Sequence, residues 1–435
     1  MEFTLLQLTE NLKIAFRADE LSLIFAAITT VMWILTGIYS FGYMEHDEHK
    51  KRYAFFYILV YFVLMGLDFS ANLITMYLFY ELMTLTSVPL ILHEMKEESV
   101  SAAMKYLYYS IAGAFMSLFG IFVLSQYAPT IDFVAGGSIV AAELSHGGLV
   151  LAGVFLMLIG FGAKAGMFPH HAWLPIAHPV APAPASAGLS GIIAKSGVLA
   201  IIRVVFYVVG PEVLRGSWVQ TAWMVLTLLT VVMVSVRAYE EKVLKKRLAY
   251  STVSQLSYVL FGLSTLHPIG MAGALLHVLF HSVAKSLLFM SAGSVIHQTG
   301  KTNVSELRGV GRQMPITLAC FTLGSLSLVG IPPFAGFFSK WYLANGALAS
   351  EIPVFGWLGP VVLLLSALLT AGYLFPIAVQ GFLPGKAYDK NPAKKCEAGL
   401  SMTIPMIILA ALALLLGIFS SGIIEFVLKL ASSLM

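Results

Sequence analysis

Residues 160–203 read GFGAKAGMFPHHAWLPIAHPVAPAPASAGLSGIIAKSGVLAIIR. An apolar run carrying Lys164 stops at Phe168-Pro169, passes through the short segment HHAWLP and a proline-rich loop, and resumes as small apolar residues with Lys195 near their midpoint. Proline has no N–H to donate and clashes with the preceding helical turn, so the first run is an interrupted helix. Broken backbone is tolerated at membrane depth only where it is buried in protein or lines a wet cavity. A charge near mid-bilayer costs on the order of 2.5–3.5 kcal/mol on insertion scales. Two lysines at that depth, one beside a break, need partners, water or a function.

Composition extends this reading to the whole chain. Of 435 residues, 58% are hydrophobic and 11% charged, with mean hydropathy +0.86. Soluble domains carry about 25% charged residues, so the expected fold is an all-α integral membrane protein, a single membrane domain over residues 1–435. The N-terminus MEFTLLQLTENLKIAFRADE has no basic n-region and no small-residue cleavage site, so no signal peptide is expected. Two cysteines, Cys320 and Cys396, cannot build a disulfide framework or a metal cage. No metal, cofactor or nucleic-acid partner is expected.

A bilayer crossing takes about 20 apolar residues. Twelve spans follow, over 20–43, 53–67, 70–92, 100–127, 148–167, 184–208, 218–238, 248–265, 270–297, 314–349, 358–383 and 401–429. The tenth is too long for one straight helix and holds Gly330-Ile331-Pro332-Pro333, so it is the second interrupted helix. Lysine and arginine placement sets orientation. Lys50, Lys51, Arg52, Lys96, Lys242, Lys245, Lys246, Arg247, Lys301, Arg308, Arg312, Lys386, Lys390, Lys394 and Lys395 share one side, while the other has little beyond Arg215, Lys13 and Arg17. The basic side is expected to be cytoplasmic, with both termini outside, and topology alone accounts for the KKR clusters. The broken helices lie five apart and therefore cross in opposite directions. That is the signature of an inverted repeat, here residues 53–208 against 218–383, followed by a C-terminal helix at 401–429.

Further ionisable groups interrupt apolar stretches. Glu81 sits halfway along ANLITMYLFYELMTLTSVPLILH, as an ion-pair partner or a protonated structural donor. HVLFHSVAK places His277, His281 and Lys285 at i, i+4 and i+8, along one helical face. Two histidines one turn apart can bind metal, but no intervening glutamate or partnered cysteine completes a zinc site. The readings left are a hydrated titrating face or histidines hydrogen-bonded across helices. Lys340 follows the second break in GIPPFAGFFSKWYL. Arg203, two turns beyond Lys195, can snorkel and is left out of the ion route. Asp68, Asp132 and Glu143 fall near or in outside loops, where solvation is the default. His170, His171 and His178 flank the proline-rich connection, as proton carriers or interfacial structural groups.

Desolvation lowers the pKa of a buried lysine and a nearby carboxylate raises it again. A glutamate–lysine pair about 4 Å apart at effective dielectric 20 is worth roughly 4 kcal/mol. Opening or closing such a pair switches a lysine between charged and neutral near physiological pH, and a newly charged neighbour drives the next proton onward. The expected order is Glu81, Lys164, Lys195, the His277/His281/Lys285 face, then Lys340.

These stretches resemble a known family. FYELMTLTSVPLIL, the 160–203 segment, KKRLAYSTVSQLSY, HVLFHSVAKSLLFMSAGSVIH and SLSLVGIPPFAGFFSKWYL are similar, in order, to the antiporter-like membrane subunits of respiratory complex I, membrane-bound hydrogenases and Mrp cation/proton antiporters. The resemblance runs from about residue 20 to 430. It implies that Glu81 pairs with the broken-helix Lys164, that Lys195 is the connecting lysine, that Lys285 with its histidines forms the central polar axis, and that Lys340 faces an exit half-channel. It implies H+ or Na+ translocation coupled to neighbouring membrane subunits, with hydrophilic redox subunits where the complex is redox-driven.

Family members usually have fourteen helices, and this chain begins near what resembles their third. It shows no long C-terminal lateral helix, which sets it nearer the middle-type or Mrp D-type subunits. A prokaryotic cell membrane is the expected location. A redox-driven complex and a gradient-driven Mrp-type antiporter both suit the charged axis; a structural subunit with a decayed route predicts missing lysines, and none is missing. A stand-alone enzyme is disfavoured, because no nucleophile–base constellation, phosphate loop or metal motif appears.

Overall fold

The computed structural model describes residues 2–7, 9, 12–140, 146–385 and 394–435; Glu143, Lys386 and Lys390 lie outside these described residues. A β-hairpin opens the chain, β1 (Glu2–Gln7) antiparallel to β2 (Lys13–Arg17). The sequence reading leaves this stretch as a mere approach to the first helix. Lys13 and Arg17 anchor it, the first by ion pairs to Glu2 (3.0 Å) and Asp132 (2.9 Å), the second by donating to the Phe133 carbonyl.

Helices α1 (Glu20–Tyr43), α2 (Lys50–Asp68), α3 (Leu73–Ile91) and α4 (Glu97–Tyr127) follow. Side-chain caps start two of them: Asp19 accepts from Ser22 N, and Asn72 from Thr75 N, both at 2.8 Å, which satisfies amides that have no partner within the helix. The first broken crossing is α5 (Gly147–Ala165) with α6 (Trp173–Val180), followed by α7 (Ala183–Val209). Next come α8 (Trp218–Glu240), α9 (Leu244–Ser264) and α10 (Pro268–Thr299), then the second broken crossing, α11 (Pro315–Val329) with α12 (Ala335–Ala349), and α13 (Phe355–Phe382). The stretch expected as one helix over 401–429 is two, α14 (Leu400–Ile418) and α15 (Ser421–Ser433).

Among the described residues nine helices are long and apolar enough to cross a membrane. Three further crossings, α2 and α9 with basic first turns and the α11/α12 pair, complete the expected twelve.

Both breaks are made the same way. α5 ends at Gly166 (φ 77°) and α11 at Gly330 (φ 90°), each in the left-handed region, with the glycine amide folding back onto carbonyls of the last turn. Glycine adopts that conformation without a Cβ clash, and the prolines that follow cannot continue the helix.

The two halves pack alike. α4 lies against both parts of the first broken crossing and α10 against both parts of the second; α5 packs on α7 as α11 packs on α13, and α3 on α6 as α9 on α12. α7 and α10 are the interior helices: the most apolar stretch of α7 is wholly buried and that of α10 is 94% buried, against 44% for α3. Charge placed on those two helices therefore has no direct route to lipid headgroups or water.

Candidate functional site: a buried lysine–histidine file

Lys164 stands in the last turn of α5, 1% exposed. Its ammonium donates to three hydroxyls, Thr84 Oγ1 on α3 and Tyr106 OH and Ser110 Oγ on α4, each at 2.9 Å, and it lies 4.3 Å from the centre of the Tyr106 ring. An ammonium has three donors and no acceptor, so all three are used. Glu81, one turn before Thr84, keeps a buried Oε1 that accepts no hydrogen bond among the described residues. The direct Glu81–Lys164 contact expected from sequence is thus not made. The hydroxyl cradle has taken the lysine's donors, which a scan for charged residues does not reveal.

Gly197 on α7 lets that helix reach this cluster. A Cβ there would stand 2.4 Å from the Phe161 carbonyl and 3.1 Å from Lys164 Cβ. Two residues before Gly197, Lys195 is 2% exposed and its Nζ donates to the Ser190 carbonyl, inside a π-helical turn at Leu189–Ile193. Ser190 Oγ lies 2.7 Å from Thr252 Oγ1 on α9, and Thr252 donates to the Leu248 carbonyl. Lys285 of α10, fully buried, donates to that same carbonyl at 2.9 Å and to Ser251 Oγ. Polar atoms of Ser190, Thr252 and Leu248 therefore connect Lys195 to Lys285.

One and two turns back along α10 lie His281 and His277, their rings 5.9 Å apart. His277 Nδ1 is 2.9 Å from Ser339 Oγ on α12. Its Nε2 and both His281 nitrogens have no protein partner among the described residues. Lys340, next to Ser339 in the chain and half-buried, donates to the Leu328 and Val329 carbonyls at 2.7 and 2.9 Å. Those are the last carbonyls of α11, the negative end of its dipole. The Tyr258 ring joins the two groups, 5.3 Å from Lys340 Nζ and 5.8 Å from the His277 ring.

The six basic groups thus form three clusters, Lys164 with its hydroxyls, Lys195 with Lys285, and His277 with Lys340, with His281 between the last two. Among the described residues no three His, Cys, Asp or Glu gather as a metal site.

Four sequence readings are corrected. Asp68 is not solvated: it is 3% exposed, at the end of α2, and accepts from Thr29 Oγ1 at 2.9 Å. Arg203 does not snorkel. It is 1% exposed and grips Asp19 with two bonds of 2.6 and 2.8 Å, plus Ser22 Oγ at 2.8 Å, because α7 is sheathed by other helices along its length. Burial pushes the Asp19 carboxyl up, but the bonds and charge of Arg203, with the bonds from Ser22, outweigh it and hold the group below its ordinary 3.8. Lys245 and Arg247 are more than topological charges. Lys245 donates to the Pro179 and Ala181 carbonyls of the proline-rich connection, and Arg247 to the Tyr373 carbonyl. His178 is not interfacial but fully buried, stacked 4.7 Å from the Phe289 ring.

A family model described as NADH:quinone oxidoreductase/Mrp antiporter, TM, matches residues 70–370. The chain belongs to this family. That match takes in every member of the lysine–histidine file, and a second model, described as NADH-Ubiquinone oxidoreductase (complex I), chain 5 N-terminus, matches residues 7–54.

Relatives of this antiporter-family chain come from several kinds of complex. NADH-quinone oxidoreductase subunit N of Desulforudis audaxviator (strain MP104C) is 30% identical, over 91% of this chain and 80% of its own length. Hydrogenase-4 component B of Escherichia coli (strain K12) is 28% identical over 96% of this chain, and Na(+)/H(+) antiporter subunit A1 of Staphylococcus aureus (strain JH9) 29% over 95%. This chain spans only 64% and 54% of those two proteins.

Among solved structures, a chain of the Mrp complex from Dietzia sp. DQ12-45-1b superposes with TM-score 0.86 at 21% identity, covering 100% of this chain and 87% of that one. A chain of the membrane-bound sulfane sulfur reductase, an archaeal respiratory membrane complex, gives 0.84 at 23%, covering 98% and 84%. At those identities the likeness is one of fold.

Proposed function

We propose that this multi-pass membrane protein is an ion-translocating subunit, carrying H+ or Na+, of a redox-driven membrane complex. Charge moves along Glu81, Lys164, Lys195, the His277/His281/Lys285 face and Lys340. One observation carries the reading: three fully buried lysines and two buried histidines, with a half-buried fourth lysine, lie in one file, and hydroxyls and carbonyls bridge its central pair. A structural membrane core has no use for such a file, because each charge has an insertion cost.

Lys164 alternates between its three-hydroxyl cradle and Glu81. In the cradle, hydrogen bonds hold the ammonium; near Glu81 the carboxylate does. Residues 53–208 and 218–383 act as two inverted half-units that meet at α7 and α10, where Lys195 and Lys285 pass the charge across. The basic loops face the cytoplasm and both termini the outside of a prokaryotic cell membrane.

The names of the relatives, subunits of quinone oxidoreductases, a hydrogenase and an antiporter, support further membrane subunits as partners, with hydrophilic redox subunits in the redox-driven case. The antiporter relatives favour a second reading, a subunit of an Mrp-type Na+/H+ antiporter with no redox partner. Purification of the native complex separates the two: iron–sulfur or nickel subunits travelling with the chain support the first, and only small hydrophobic partners the second.

The mechanism is tested by Lys164→Ala and Glu81→Gln in the native complex reconstituted in proteoliposomes. Coupled ion transport is abolished in each while the complex assembles. Wild-type transport in both variants would remove the file from the mechanism.

A further inference from the structure

Asp68 is a carboxylate with no place in the file described above, yet it stands beside it. It closes α2, is 3% exposed, and among the described residues takes one hydrogen bond, from Thr29 Oγ1 on α1 to its Oδ2. Thr29, Asp68, Lys195 and Ser196 line one small cavity of about 10 Å³ whose remaining walls include Phe25 and Ile192. That volume is the space of about one water, and a buried water needs two to four polar partners. The lining supplies them. Lys195 has three donors, of which one is used among the described residues, on the Ser190 carbonyl; Ser196 spends its hydroxyl proton on the Ile193 carbonyl. An ammonium and a carboxylate that share one cavity away from solvent each lower the other's desolvation cost.

The other charges near this pair are committed or alike in sign. Arg203, the cation of α7 whose field reaches Asp68, is bound to Asp19 by two hydrogen bonds. Facing Lys195 are Lys285, His281 and His277 from α10 and His178 from α6, all basic. Asp68 is thus the acidic group placed to answer Lys195, as Glu81 is for Lys164.

We infer that Asp68 is the proton-exchange partner of Lys195, through one water held in this cavity. The Lys195 ammonium gives a proton to the water, which passes one of its own to the Asp68 carboxylate. A neutral amine and a carboxylic acid result, the water is regenerated, and the net charge of the site does not change. Lys195 can then lose its charge without handing a proton to Lys285, so the central step of the file gains a local gate. The inference rests on the ion-translocating reading, and it makes Asp68 a second acidic site of the route.

The test uses the assembled complex in proteoliposomes, with transport followed across pH for Asp68→Asn, Asp68→Glu, Thr29→Val and Lys195→Ala. Asp68→Asn is expected to lower transport at least tenfold and move its pH profile. Asp68→Glu recovers at least half of the rate, and Thr29→Val, which takes one donor from the Asp68 carboxylate, moves the profile with a smaller loss of rate. Two results overturn the inference: wild-type rate and profile in Asp68→Asn while Lys195→Ala is inactive, or equal losses in Asp68→Asn and Thr29→Val with profiles unmoved, which marks a packing role. Should Asp68→Asn not assemble, Asp68→Glu decides, since lengthening the acid must shift the profile and an unchanged profile overturns the exchange. Wild-type transport in Lys195→Ala defeats the ion-translocating reading itself, a separate outcome.

Discussion

Tyr106→Phe removes one oxygen atom from the Lys164 cradle and leaves its shape in place. The ring keeps its position 4.8 Å from Trp173 and 4.3 Å from the ammonium. Ser87, which also meets the Tyr106 hydroxyl, still donates to the Thr84 carbonyl at 3.1 Å. The change therefore removes one hydrogen bond to a charged group, worth about 1.5–3 kcal/mol, together with the neutral Tyr106–Ser87 bond. At about 1.4 kcal/mol per factor of ten, a loss near 2 kcal/mol shifts the balance between cradle and Glu81 roughly thirtyfold. Initial transport rates in proteoliposomes, with a protonophore control, are expected to fall about ten- to thirtyfold, with assembly unchanged on gel filtration. Ser110→Ala should behave similarly, and the double variant should lose more than either. A Tyr106→Phe rate equal to wild type across the pH range, beside an inactive Lys164→Ala, would refute the argument that the cradle is a state of the cycle.

Two stability predictions accompany it. Asp19→Asn leaves the Arg203 guanidinium, 2% exposed at its side chain, without its counter-charge; breaking a buried pair costs about 3–5 kcal/mol, and a thermal melt in detergent should show a lower midpoint. Because the folded Asp19 carboxyl lies below its ordinary 3.8, its contribution is complete above 3.8 and is lost as pH falls through the lowered folded value; acid melts of wild type and variant should converge below it. Gly197→Ala places a Cβ 2.4 Å from the Phe161 carbonyl, so α5 and α7 must part. Such overpacking costs about 1–3 kcal/mol, visible as a reduced melting midpoint, and an unchanged midpoint would mean that the two helices separate freely.

Apolar runs of membrane length placed the crossings, and Phe168-Pro169 and Gly330-Ile331-Pro332-Pro333 marked both breaks, because each signal is local. The ionisable members of the file were legible for the same reason: a lysine in an apolar run is conspicuous wherever its partners lie. The hydroxyls were not. Thr84, Tyr106 and Ser110 are unremarkable within their helices, and only packing brings them to one nitrogen. Asp68 was misread because it sits at a helix end, where solvation is usual; β2 and the loop after α2 join above it, with Arg17 N bonded to the Phe69 carbonyl. Lys245 and Arg247 were counted as cytoplasmic charge, and their carbonyl partners lie as far off as Ala181 and Tyr373.

The sequence by itself determined that this is a twelve-crossing membrane protein with two interrupted helices and four lysines at membrane depth. Hydropathy, helix breaking and the cost of buried charge all act over one turn or one span. Tertiary structure alone decided which groups satisfy those lysines: three hydroxyls rather than Glu81 at Lys164, the Ser190 carbonyl at Lys195, the Leu248 carbonyl and the Ser251 hydroxyl at Lys285, and the last carbonyls of α11 at Lys340. An ammonium's partners lie within about 3 Å of it, and at Lys164 and Lys285 residues that close are separated by tens of positions in sequence.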